Sequence, residues 1–77
     1  MYAIIGDRLK KAREKKGLSQ TELARILGYK SRSSVNKMES GERAIPRKKV
    51  LETAKILEVR PAFLMGWEDS EPADTKG

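Results

Sequence analysis

The 77-residue sequence predicts an all-α protein, a compact five-helix domain. Three observations carry that expectation. Apolar residues recur at helical spacing along most of the chain, glycine or proline punctuates each periodic segment, and no stretch alternates as a half-buried strand would. A chain this short buries only about 60% of its unfolded surface, so one small core is what it can build.

The first helix is predicted from IIGDRLKKAREKKG, where Ile5, Leu9 and Ala12 fall on one face. Lys15 and Lys16 suit its C-terminal dipole, Gly17 stops it, and Leu18 follows as a core plug. Ser19-Gln20-Thr21-Glu22 has the pattern of a capping box, opening a short second helix with Leu23, Ala24 and Leu27 buried and Gly28 at its end. After Tyr29-Lys30, Ser31 is the expected N-cap of a third helix running to about Glu39 and closed by Ser40-Gly41. Pro46 is expected as the first residue of a fourth helix whose apolar face is Val50, Leu51, Ala54 and Leu57. Pro61 opens a short fifth helix through Phe63, Leu64 and Met65, ended by Gly66. Trp67 suits either a core cap or an interface anchor. The domain is therefore assigned to residues 1–67, and the acidic segment 68–77 to a disordered tail or the start of an interdomain linker.

The net charge of +6 is unevenly spread: residues 1–67 carry 16 Lys/Arg against 7 Asp/Glu, while residues 68–77 sum to −3. A basic body favours a polyanionic partner, nucleic acid or an anionic membrane. The helices share their apolar residues as a core would, and no run reaches membrane-spanning length, which speaks against the membrane. With no histidine and no cysteine, the commonest metal ligands and the commonest general base are missing. No metal site, no cofactor and no enzymatic activity are expected, in a cytoplasmic, nucleoid-associated protein.

Residues 20–40 form the informative segment: short helix, glycine-containing turn, short helix. In that unit the second helix enters the major groove of duplex DNA. With Val35 and Met38 turned inward at i and i+3, Ser33, Asn36, Lys37 and Ser40 lie opposite, and Arg32 flanks them. Hydroxyls, an amide and cations are the groups that bond base edges and phosphates. Ser40, and Arg43 in the loop just beyond, are expected to meet the DNA backbone.

GLSQTELARILG, SSVNKMESG and ILEVRPAFLMGW together resemble the phage repressor and Cro-type (Xre) DNA-binding domains, over roughly residues 4–67. The resemblance implies a lambda-repressor-like fold and a homodimer on a palindromic operator in double-stranded DNA, and the apolar residues from Pro61 to Trp67, beyond the core, are the expected pairing surface. It implies a phosphate-clamping role for Gln20, base reading by Arg32, Ser33 and Lys37 with Asn36 beside them, and backbone contact by Arg47. It also implies a structural ion pair between Arg13 and Glu39. The connection from Gly28 to Ser31 is one residue longer than in the shortest relatives, and the base-facing residues differ from the glutamines of some members. Their operators therefore do not transfer. A transcriptional repressor is the expected function; the alternative is an antitoxin that autoregulates its operon, against which the apolar-poor tail counts.

Overall fold

The computed structural model describes residues 3–67, so the tail expected at 68–77 lies outside the described residues. The element order is α1 (Ala3–Lys15), α2 (Gln20–Ile26), α3 (Ser33–Glu39), α4 (Arg47–Leu57) and α5 (Pro61–Leu64). There is no strand among the described residues.

One core joins all five helices. Leu9 and Ala12 of α1 meet Leu23, Ala24 and Leu27 around α2, Val35 and Met38 of α3, Ala54 and Leu57 of α4, and Leu64 of α5. Leu18 and Val50 are half-buried against this cluster. Arg8 pins α5 to α1: its Nη1 donates to the Phe63 carbonyl at 2.8 Å, and its guanidinium lies 4.5 Å from the Phe63 ring centroid.

The capping box before α2 is complete. Ser19 Oγ accepts from the Glu22 amide at 3.0 Å, and Glu22 Oε1 accepts from the Ser19 amide at 2.8 Å. That backbone donation to the carboxylate, helped by the Ser19 hydroxyl, holds the Glu22 pKa below its ordinary value. At the other end Gly28 has φ +86°, which lets the Tyr29 amide turn back to the Ala24 carbonyl at 2.8 Å. The turn between α2 and α3 depends on that conformation.

Three local expectations are corrected. Ser31 is not the N-cap of α3; Arg32 occupies that position, and the Ser31 hydroxyl instead accepts from the Ser33 amide at 3.3 Å in the preceding turn. Pro46 is the N-cap of α4 and not its first residue, because its ψ of 137° is extended and helical geometry begins at Arg47. Leu51 is 69% exposed, while Thr53 takes its place in the interior. The buried stripe of α4 runs through Val50, Thr53, Ala54 and Leu57 at helical spacing, and Leu51 lies about 100° away from Val50. The helix ends at Glu58, in the left-handed region at φ 59° with no glycine to ease it. The Val59 amide bonds the Ala54 carbonyl at 3.0 Å, and Lys16 Nζ meets Glu58 Oε2 at 2.8 Å, which lowers the Glu58 pKa.

Ser19→Ala removes the acceptor for the Glu22 amide and is expected to cost about 1 kcal/mol. For a domain of this size that lowers Tm by roughly 4–8 °C in a thermal melt. Because the folded Glu22 pKa is depressed, its contribution is complete above the ordinary carboxylate range and disappears as pH falls through the folded value. The Tm difference between the parent and Glu22→Gln is therefore expected to be present at neutral pH and to close in acid.

Candidate nucleic-acid interface

Helix α3 is held by its inner side. Val35 and Met38 are buried, whereas Arg32, Ser33, Asn36, Lys37 and Ser40 are exposed. This outer face has no apolar side chain. Among the described residues no carboxylate comes within ion-pairing distance of Arg32, Lys37 or Arg47, so these charges project into solvent uncompensated at close range. Elsewhere Lys11 pairs with Asp7 and Lys16 with Glu58.

The rear of α3 carries the densest polar contact in the domain. Arg13 Nε donates to Glu39 Oε2 at 2.6 Å and Nη2 to Oε1 at 3.2 Å, with the two side chains only 10% and 4% exposed. The Arg13 Nη1 donates to the Leu18 carbonyl at 2.7 Å, fastening the turn after α1. Bonding to Glu39 raises the Arg13 pKa against the opposing effect of burial. Gln20, the first residue of α2, is half-buried and donates Nε2 to Glu39 Oε1 at 3.0 Å. One carboxylate thus ties α1, α2 and α3 together. An amide nitrogen carries two hydrogens, so Gln20 keeps a second N–H for another acceptor.

The remaining site residues fall in different surroundings. The Ser40 hydroxyl is occupied within the chain, facing the Lys37 carbonyl at 3.0 Å and Glu42 Oε2 at 3.1 Å. Arg43 is exposed in the loop, its guanidinium 6.0 Å from the Tyr29 ring centroid. Arg47 begins α4 and also lines a groove of about 420 Å³ with Ile45, Val50, Leu51, Pro61, Met65 and Trp67. Trp67 is 76% exposed, so of its two expected roles the core cap is excluded.

Two contributors are not evident from the sequence. Lys49, which reads there as a plain surface charge, donates Nζ to the Leu27 carbonyl at 2.7 Å and lies 5.2 Å from the Tyr29 ring centroid, locking the turn of the motif to α4. Gly6 is buried where α1 meets the end of α3. Its place three residues before Leu9 and seven before Arg13, on one helix face, is the available signal. No group of three or more acidic side chains among the described residues is arranged to hold a metal ion.

A short α2, a tight glycine turn and a polar-faced α3, embedded in five helices, define a helix-turn-helix domain. Residues 9–64 match the family model described as Helix-turn-helix, and the chain belongs to that family as a DNA-binding transcriptional regulator of the phage-repressor type. Among solved structures it is similar to the restriction-modification controller protein C.AhdI from Aeromonas hydrophila, at 36% identity and a TM-score of 0.72, covering 82% of this chain and 94% of that one. It is also similar to the hypothetical transcription factor NHTF from Neisseria, at 27% identity and a TM-score of 0.73, covering 95% of this chain and 78% of that one. A comparison with curated protein sequences finds no match. No helix among the described residues is long and apolar enough to cross a membrane.

Removing Glu39 strands the Arg13 guanidinium under cover and releases Gln20. Glu39→Ala is expected to cost about 3 kcal/mol and to weaken duplex binding in the same variant, read by thermal melt and by DNA titration. The double change Arg13→Met with Glu39→Leu leaves no stranded charge and is expected to recover part of the stability without recovering DNA affinity.

Proposed function

We propose that this protein is a repressor-type regulator acting in the cytoplasm, binding a two-fold operator as a homodimer with α3 in the major groove. The observation that carries this reading is the outer face of α3, where Arg32, Ser33, Asn36 and Lys37 stand exposed opposite buried Val35 and Met38. Asn36 suits adenine and Lys37 suits guanine, with Arg32 and Ser33 toward the helix N-terminus. Gln20, Arg43 and Arg47 hold the backbone, and Ser40 contributes only if its hydroxyl leaves its present partners.

The homodimer is assigned to the groove beside α4 and α5. Its occupant is a second copy, which would cover the apolar groove and take exposed Leu51 and Trp67, two of its lining residues, out of water. A two-fold axis would set the groove of each copy against the same groove of the other. The patch is small against the ~1,600 Å² of a stable interface, so pairing is weak in solution and completed on DNA. The 36% identity to a restriction-modification controller protein supports a second reading, in which the regulated genes encode such a system. Footprints confined to promoters of other genes would exclude it.

The base-reading assignment is tested with a panel of single-base operator changes at two salt concentrations, after selection from random duplex DNA. Asn36→Ala or Lys37→Ala is expected to relax preference at one or two positions, each hydrogen-bonded base pairing removed costing ~1–3 kcal/mol. Arg47→Ala is expected to weaken every sequence alike and to flatten the log–log salt slope by about one unit. Uniform losses for the first two variants with altered preference for the third would place the wrong face in the groove.

For the dimer, Leu51→Glu alters a side chain that α4 leaves in solvent, so the fold is expected to persist in circular dichroism. Full-operator affinity is expected to fall about tenfold or more, with half-site affinity unchanged. Equal weakening on half-site and full site would show that the groove is not the pairing surface.

A further inference from the structure

The docking of α3 on α1 has a feature that composition and motif do not explain. Gly6 lies in the first turn of α1 with its missing side chain aimed at the C-terminal end of α3. A Cβ at that position would overlap the Glu39 carbonyl oxygen and stand 2.6 Å from that of Met38 and 2.8 Å from the Glu39 carbonyl carbon. Those are backbone atoms, so no rotamer change relieves the contact. An ordinary van der Waals separation of 3.4 Å requires α3 and α1 to part by roughly 1 Å.

Arg13 lies seven residues further along the same face of α1, two helical turns away. It grips the carboxylate of the same Glu39 whose carbonyl rests on Gly6. The last residue of α3 therefore meets α1 twice, through backbone at one point and side chain at the other. Two contacts separated along a helix axis limit tilt as well as distance. Helix α1 is itself anchored by Leu9 and Ala12 in the core and by Arg8 on Phe63. The seat is rigid on both sides.

We propose that Gly6, acting with Arg13 on Glu39, is a positioning residue for sequence recognition: the absent side chain sets the depth and tilt at which α3 presents Asn36 and Lys37. The inference rests on the operator-binding reading of α3. A hydrogen bond weakens sharply outside a few tenths of an ångström, so a shift of about 1 Å at the base of the reading helix breaks the hydrogen bonds to bases. Flexible lysine and arginine side chains follow the phosphates across the same shift. Sequence preference and general DNA affinity then respond differently.

The experiment compares the parent chain with Gly6→Ala, Arg13→Lys and Leu57→Val, the last a core change on α4 that lowers stability and lies outside the contacts of Gly6 and Arg13 with Glu39. Operator and non-operator duplex affinities are measured at fixed salt, well below each Tm. Gly6→Ala and Arg13→Lys are expected to reduce the operator-to-non-operator ratio at least tenfold, with non-operator affinity and its salt slope unchanged. Leu57→Val is expected to keep the parent ratio. A parent-like ratio in folded Gly6→Ala, or an equal drop in Leu57→Val, overturns the proposal. Should Gly6→Ala not fold, Arg13→Lys decides alone, and a parent-like ratio overturns the proposal. A parent chain with no sequence preference removes the operator-binding reading and this inference together.

Discussion

The carboxylate of Glu39 is the constraint on which the arrangement of the first three helices depends. Taking a carboxylate out of water is costly, and the cost is offset only where good geometry and several donors meet it. Here a forked guanidinium and an amide supply those donors, each from a different helix. An apolar residue at this position would pack without direction. A charged one demands that Arg13 and Gln20 stand where they do, and so relates α1 and α2 to the end of α3. Whether the pair adds net stability over an apolar replacement matters less for DNA reading than its directionality.

Such direction is needed because the individual helices are too short to be stable alone. Both α2 and α3 have seven residues and α5 has four, well below the ~12–15 at which an isolated helix becomes even marginal. Their order comes from caps and burial. The box at Ser19 and Glu22 nucleates α2, the turn at Gly28 redirects the chain, and Val35 with Met38 secures α3 in the core. The Lys49 ammonium then binds the last carbonyl region of α2 from the far side, so the motif is held from α4 as well as from α1. An outer face free of apolar groups gains nothing from burial, and α3 can keep one only because its inner contacts suffice.

Much of this is legible in the residues. All five helices lie near the positions that the sequence predicts, because apolar periodicity and glycine stops are local signals. The misplacements are also local. Ser31 has the chemistry of an N-cap, but the turn carries the chain one residue further before α3 begins. Leu51 reads as core from hydrophobicity, yet helix phase gives that place to Thr53, which is fully buried. The contacts that hold the site together are harder to find. Arg13 with Glu39 and Gln20 with Glu39 span 26 and 19 residues, and Lys49 reaches back 22 to Leu27. No periodicity encodes such pairs. The resemblance to phage repressors points to Arg13 and Glu39, but nothing in the sequence points to Lys49. Gly6 is hidden for another reason: glycine inside a helix reads as a weakness until the approaching backbone is seen.

The basic side chains divide into those paired with carboxylates and those left unpaired. Three cations are paired with acidic side chains: Lys11 with Asp7, Arg13 with Glu39 and Lys16 with Glu58. Arg32 and Lys37 on the outer side of α3 and Arg47 at the start of α4 have no carboxylate within ion-pairing distance among the described residues. An exposed cation near a carboxylate presents a dipole, and its field falls off faster than that of an isolated charge. Without such partners these three cations keep a longer-range field, screened only over about a Debye length of ~8–10 Å. A phosphate approaching α3 therefore meets cations not already committed to carboxylates, while the buried pair behind them holds the helix still. Glu39 occupies the Arg13 guanidinium between α1 and α3, and the outer side of α3, where we propose that DNA is read, keeps its cations unpaired.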